Sequence, residues 1–141
     1  MHCSHAPGCL GKRDDRLLGL SFLGYGRGDL VAFKPSLRAQ QRCGLPGLLL
    51  KRVVGLPGET VSERDGRIRI DGRALREPYV EARLRDTGTQ DPVKLGHDEY
   101  YLLGDNREES CDSRTFGPVP KHEIRARIVM TYWPLGRIGF H

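Results

Sequence analysis

Lys51 is the residue whose type and neighbours best suit chemistry. It ends the apolar run Leu48-Leu49-Leu50 and is followed by Arg52, by Val53-Val54 and by Leu56-Pro57-Gly58. This pattern predicts a buried strand over 48–54 that the Leu-Pro-Gly turn ends. An amine leaving such a strand beside apolar surface is desolvated, which lowers its pKa and leaves free amine available near neutral pH. A free amine within reach of a hydroxyl is a general base for acyl transfer. On spacing alone the plainer alternative stays open, that Lys51 and Arg52 are solvated strand residues. A second stretch of interest is the polar run 104–114, GDNREESCDSR, which follows the apolar EYYLL. Loops of that composition also commonly satisfy only their own backbone.

The elements that must position these residues are mostly strands. Residues 17–22 predict a short strand, and three glycines between 24 and 28 predict a turn. Residues 30–33 form a strand that Pro35 closes. Residues 36–47 read as a polar surface loop ending at Gly44 and Pro46-Gly47, before the strand that holds Lys51. Beyond the turn, Val61, Ile68 and Ile70 alternate at period two around Asp65-Gly66, a hairpin signal, and Asp71-Gly72 marks a further turn. Residues 82–98 are charged and read as a mobile surface excursion. Strands are expected at 99–103 and 124–132. No long helical period is visible, so the expected class is mainly β.

Composition narrows the function. A chain of 141 residues can bury one real core. Its 23 Lys and Arg against 18 Asp and Glu give a mild formal charge of +5, scattered among acids. That pattern lacks the concentrated basic footprint of a nucleic-acid binder. The aromatics (four Phe, five Tyr, one Trp) do not form a stacking platform either. Weak attraction to anionic lipid headgroups is compatible with the charge. Cys3, Cys9, Cys43 and Cys111 form no CxxC pair and no zinc-like spacing with histidine, so no metal and no cofactor is expected. Cys3 and Cys9 can in principle bridge, but unpaired thiols are the expectation. His2, His5, His97, His122 and His141 are expected to be mostly surface residues. No apolar stretch reaches the roughly 18–20 residues needed to span a bilayer. The run at 17–23 is too short and interrupted for a secretory leader.

Three stretches, in order, carry a family resemblance. Arg27-Gly28-Asp29-Leu30-Val31-Ala32-Phe33 is an RGD-hydrophobic box, Lys51 to Gly58 reads KRVVGLPG, and 104–114 reads GDNREESCDSR, followed by Phe116-Gly117-Pro118-Val119-Pro120. Together with Asp14-Asp15-Arg16-Leu17-Leu18 and Trp133-Pro134-Leu135-Gly136-Arg137-Ile138-Gly139, they make residues 14–139 resemble the type I signal peptidases. These are serine–lysine endopeptidases that remove leader peptides from exported proteins. The resemblance implies a domain of coiled antiparallel sheets, β-barrel-like, over 14–141, preceded by an irregular segment at 1–13.

It also implies roles. Lys51 would be the general base, and Ser110 would hydrogen-bond and orient its amine. Asp112 and Arg114 would form a buried ion pair shaping the site, Asp105 would support the loop, and Ser113 would satisfy backbone. The nucleophile would be Ser4, in Ser4-His5-Ala6-Pro7-Gly8, which keeps the serine and proline of the family's S-M-x-P-T box and lacks its methionine and threonine. Two alternatives stay open: a serine upstream of Met1, with Met1 as the family's methionine, and Ser21. The oxyanion hole would use the Ser4 N–H and a donor at His2. A leader peptide would lie as an added strand, with small side chains in shallow pockets walled in part by 30–33.

The partners implied are preprotein leader peptides and a membrane lipid surface, without nucleic acid and with the chain a monomer. None of these residues is expected to serve as the family's N-terminal membrane anchor; an anchor upstream would place the domain on the outer face of the cytoplasmic membrane. A chain complete as it stands would be soluble. Other readings are a catalytically impaired or truncated relative, a peptidase maturing pilin or conjugation proteins, and a small β-barrel nucleic-acid binder.

Overall fold

Two apolar runs form the centre of the fold. Strands β2 (Leu49–Gly55) and β7 (Glu99–Leu103) pair antiparallel, with Arg52 opposite Leu103 and Val53 opposite Leu102. Side chains alternate between the two faces of a strand, so a run apolar at every position can bury both faces. One face gives Val53, Tyr100 and Leu102 to a core with Val31, Phe33, Val119 and Ile124. The other gives Val54, Tyr101 and Leu103 to a second core with Val61, Ile68, Ile70 and Leu95. The computed structural model describes residues 24–128. Ser4, Ser21, His2, Cys3, Cys9, the strand expected at 17–22 and the chain beyond 128 lie outside the described residues.

Strand β1 (Leu30–Phe33) pairs with β2 on one side and with β9 (Ile124–Arg127) on the other. Strand β8 (Val119–Pro120) flanks β7, completing a five-stranded sheet in the order β8-β7-β2-β1-β9. A second, four-stranded sheet runs β5-β4-β3-β6, from β3 (Thr60–Arg64), β4 (Arg67–Ile70), β5 (Arg73–Ala74) and β6 (Gln90–Lys94). Its two tight hairpins fall at the predicted dipeptides. Asp65 and Gly66 have φ of 51° and 76°, and Asp71 and Gly72 have 51° and 82°. Two successive positive φ values suit a two-residue hairpin, because the turn then twists with its strands.

Several expectations need correction. The domain is not barrel-like: the arrangement is mixed α/β, with two antiparallel sheets, neither of them closed. Within the described residues, β8 and β9 end one sheet and β5 and β6 the other, so no hydrogen-bonded ring forms. The supposed loop at 36–47 contains helix α1 (Leu37–Cys43), whose N-terminus Ser36 caps by accepting from the Ala39 N–H. Gly44, at φ 64°, ends it in the left-handed conformation. A Ser cap and a Gly stop eight residues after it were the legible signals. The charged stretch 82–98 is integrated rather than a free excursion. It holds a 3-10 turn (Ala82–Leu84), then β6, which pairs with β3, and the buried Leu95.

The expectation of unpaired thiols also fails for Cys43 and Cys111, which form a disulfide with Cα atoms 5.8 Å apart. It joins the end of α1 to the loop before α2 (Ser113–Phe116), where Arg42 also donates to the Thr115 carbonyl at 2.9 Å. The two cysteines are 68 residues apart, so sequence spacing could not suggest the pair. Cross-linking so distant a pair restricts the unfolded chain strongly. Reduction, or Cys43→Ser, is expected to cost roughly 2–4 kcal/mol in a denaturant titration. An unchanged midpoint on reduction would show that the cross-link adds nothing.

Candidate active site

Lys51 sits on β2, and its Nζ donates to Ser110 Oγ at 2.8 Å. Strand alternation puts Lys51 on the same side as Leu49 and Val53. Leu48 and Leu50 do not wall it in as expected: they are 60% and 57% exposed, and the strand is fully buried only from Val53 onward. The loop that β7 delivers reaches the amine through Ser110. Burial lowers the Lys51 pKa, Asp112 opposes that fall, and Arg114 adds to it.

Gly104 makes this approach possible. A Cβ at that position would lie 2.0 Å from Ser110 Oγ and 3.3 Å from Lys51 Nζ. The GDNR glycine is thus the space into which the serine hydroxyl and the lysine amine fit. Leu50, Lys51, Gly104, Asp105, Asn106, Glu109 and Ser110 line an open cleft of about 370 Å³ there. A larger cleft of about 520 Å³ lies elsewhere, lined by Arg27, Glu59, Asp71 and Arg73 among others, and Arg27 and Glu59 are paired with each other across it.

Asp112 is fully buried and caps α2, accepting from the Arg114 N–H. Its two oxygens take Arg114 Nε and Nη2, both at 2.9 Å, and Oδ2 also accepts from the Gly104 N–H at 3.1 Å. Asp112 therefore ties Arg114 to the backbone beside Lys51. Ser113 Oγ accepts from the Leu102 N–H at 2.9 Å, a backbone role. Asp105 is held by Arg52 through two hydrogen bonds of 2.9 and 2.7 Å, and Arg52 lies over the Tyr79 ring. Arg52 is therefore no solvated strand residue. His97 and His122 are exposed and lie away from this cleft. Among the described residues no group of three or more His, Cys, Asp or Glu side chains is arranged to hold a metal.

The structure brings Lys51, Ser110, Asp105, Asp112 and Arg114 together, and Ser4 lies outside the described residues. Ion pairs and a hydrogen bond tie the three boxes to one another. Arg27 of the first box makes a two-pronged pair with Glu59, just past the second, at 2.8 and 2.7 Å. Arg52 and Lys51 of the second reach Asp105 and Ser110 of the third.

Sequence reasoning missed the partnership of Arg107 with Glu77. Both side chains are fully buried, Arg107 bonds both Glu77 oxygens, and its Nε donates to the Gly104 carbonyl at 2.8 Å. The only available signals were an arginine inside a polar box and a glutamate in the Glu77-Pro78-Tyr79 segment. Their pairing across 30 residues is a tertiary fact. Removing one partner strands a buried charge. Arg107→Met is expected to destabilise the fold by roughly 3–5 kcal/mol, and Arg107→Met/Glu77→Met by much less. Equal losses in single and double variants, read by chemical denaturation, would contradict this.

Comparison with known proteins agrees with this geometry. The family model described as signal peptidase, peptidase S26, matches residues 15–133. A signal peptidase I of Leptolyngbya laminosa is 40% identical over 114 residues, covering 80% of this chain and 55% of its own length. A probable signal peptidase I of Synechocystis is 35% identical over 113 residues, covering 80% of this chain and 50% of its own. The chain thus spans about half the length of these curated relatives. The crystal structure of a signal peptidase I from Enterococcus faecalis superposes with a TM-score of 0.59 at 29% identity, over 74% of this chain and 97% of that one. On the family match over residues 15–133 and these relatives, the chain belongs to the signal peptidase family, peptidase S26.

Proposed function

We propose that this chain is the catalytic part of a serine endopeptidase that removes N-terminal leader peptides from exported preproteins, with Lys51 as its general base. The observation that carries this is the half-buried Lys51 amine, its pKa lowered by burial, hydrogen-bonded to Ser110 Oγ at 2.8 Å. Ser110 orients the amine, Asp112 and Arg114 hold the loop from behind, and Asp105 anchors it to β2 through Arg52. The nucleophilic serine bonds to the scissile carbonyl carbon as its proton passes to Lys51 Nζ. The protonated lysine gives that proton to the leaving amine. Water then attacks the resulting ester, Lys51 again taking the proton, and the serine is restored.

Ser4 is the proposed nucleophile, with Ser21 or a serine upstream of Met1 as alternatives. A membrane surface is the natural setting for such a substrate. No helix among the described residues is long and apolar enough to cross a membrane. Leu45, Leu48 and Leu50, 43%, 60% and 57% exposed, precede Lys51 and offer apolar contact to lipid.

The test is cleavage of a leader-bearing precursor, with small residues before the cut, in detergent. The chain, upstream-extended forms of it, Ser4→Ala and Ser21→Ala are compared. Loss of cleavage in Ser4→Ala alone supports Ser4. Full cleavage in Ser4→Ala moves the nucleophile to another hydroxyl. Failure of every form to cleave any leader would overturn the endopeptidase reading.

A further inference from the structure

Behind the cleft lies a buried group of carboxylates that the proposed cleavage does not use. Glu63, on β3, is 2% exposed, yet neither of its carboxylate oxygens has a hydrogen-bond donor. Asp86, in the segment after the 3-10 turn, has one oxygen, Oδ1, that is likewise buried and without a donor. Both residues reach the same nitrogen: Arg114 Nη1 is 3.0 Å from Asp86 Oδ2 and 3.6 Å from Glu63 Oε1. The Nε side of that guanidinium is taken by Asp112. Three carboxylates therefore surround one arginine.

The remaining groups that face Glu63 do not balance the excess. Arg107, from the loop after β7, adds attraction but is already bound to Glu77. Tyr101, from β7, is a neutral phenol whose ionisation burial, Asp112 and Glu63 all oppose. Ionised carboxylates only accept hydrogen bonds, so two of them cannot satisfy each other. One proton eases both problems: it lets an oxygen of one carboxyl donate to the other, leaving Glu63 Oε1 facing Arg114 Nη1 at 3.6 Å, and it removes one negative charge.

We propose that Glu63 and Asp86 share one proton at neutral pH and act as a single counter-charge that positions Arg114, and through it the Asp112 carboxylate beside Lys51. Only the significance of the last link, to Lys51, rests on the function proposed above. Neither carboxyl touches substrate; both are positioning residues. Burial, with Asp86 beside it, pushes the Glu63 carboxyl up to about 7. As pH rises through that value the pair loses its proton, and the second charge competes with Asp112 for Arg114. The sign for stability follows. Between the ordinary glutamate value and about 7 the folded chain holds a proton that the unfolded chain has released. Stability therefore falls with rising pH across that window and levels off above it.

The experiment follows the full chain and Glu63→Gln from about pH 5 to about pH 8, across the window in which the folded and unfolded states bind different numbers of protons. Glutamine keeps the shape of the protonated acid and can donate to Asp86. The thermal midpoint of the parent is expected to fall by several degrees relative to Glu63→Gln over this range. Infrared spectra of the parent should show a protonated-carboxyl stretch at the acid end that is lost at the alkaline end and absent from Glu63→Gln. The infrared titration of the parent decides alone if the variant does not fold. The Lys51 side-chain chemical shift should step near neutral pH in the parent and not in Glu63→Gln. A midpoint difference constant with pH, or no protonated-carboxyl band, overturns the shared proton. A band without the lysine step overturns the link through Arg114. None of these three readouts depends on cleavage, so failure of the endopeptidase reading would be seen separately, in the cleavage assay.

Discussion

Lys51→Met is expected to abolish cleavage of a leader-bearing precursor, a loss of about 100- to 10,000-fold, the usual contribution of a positioned general base. Methionine keeps most of the apolar length of lysine and removes only the amine, so the cleft should persist. The parent's rate should rise with pH as the lysine loses its proton, and the rise should come earlier than for an exposed lysine because burial lowers its pKa. Stability provides a second readout of the opposite sign. Since the folded pKa is lowered, the unfolded chain holds the proton more tightly. The cost of burying the charge is fully present below the folded pKa and fades as pH rises toward the ordinary lysine value of 10.5. Lys51→Met should therefore be more stable than the parent at neutral pH, and the gap should narrow as the solution becomes alkaline. Undiminished cleavage by Lys51→Met would rule out a Ser/Lys mechanism, whichever serine attacks.

Gly104→Ala should be nearly as damaging, although it removes no functional group. The added methyl would lie 2.0 Å from Ser110 Oγ, 2.6 Å from its Cβ and 3.3 Å from Lys51 Nζ. Ser110 cannot move freely, because Cys111 beside it is bonded to Cys43 and its own N–H is held by the Asn106 carbonyl at 2.9 Å. The strain must fall on the lysine–serine hydrogen bond. A displacement of about 1 Å in a reacting constellation can cost on the order of 100-fold in rate, and that loss is the expected result. Overpacking should also lower stability by roughly 1–3 kcal/mol. Assays are therefore run at temperatures where denaturation curves show both proteins folded. Parent-like rates in folded Gly104→Ala would mean that the Lys51–Ser110 contact does not matter for cleavage.

Much of this protein is legible in its residues because the governing forces are local or periodic. Alternation at Val61, Ile68 and Ile70 and the Asp-Gly pairs specify the β3–β4–β5 hairpins, since turn geometry and strand period need no distant partner. The three boxes, read as a resemblance, marked the family and pointed to Lys51, Ser110, Asp112 and Arg114. What failed to show was decided by contacts between residues far apart in the chain. Helix α1 read as a loop because it is only seven residues long and buries only Ala39, so it carries no apolar stripe. The barrel-like expectation failed because whether strands close depends on edge pairing, which periodicity does not encode. The leucines before Lys51 suggested an apolar wall, yet Leu48 and Leu50 are exposed, and the amine instead lies against Ser110 and Gly104 of the 104–114 loop. The sequence by itself determined most of the central strands and the tight turns, and through the resemblance it pointed to Lys51. Only the tertiary structure decided the Cys43–Cys111 bond, the Arg107–Glu77 pair and the Glu63–Asp86–Arg114 cluster, because a buried charge or thiol takes its partner from whatever the packed core brings within reach.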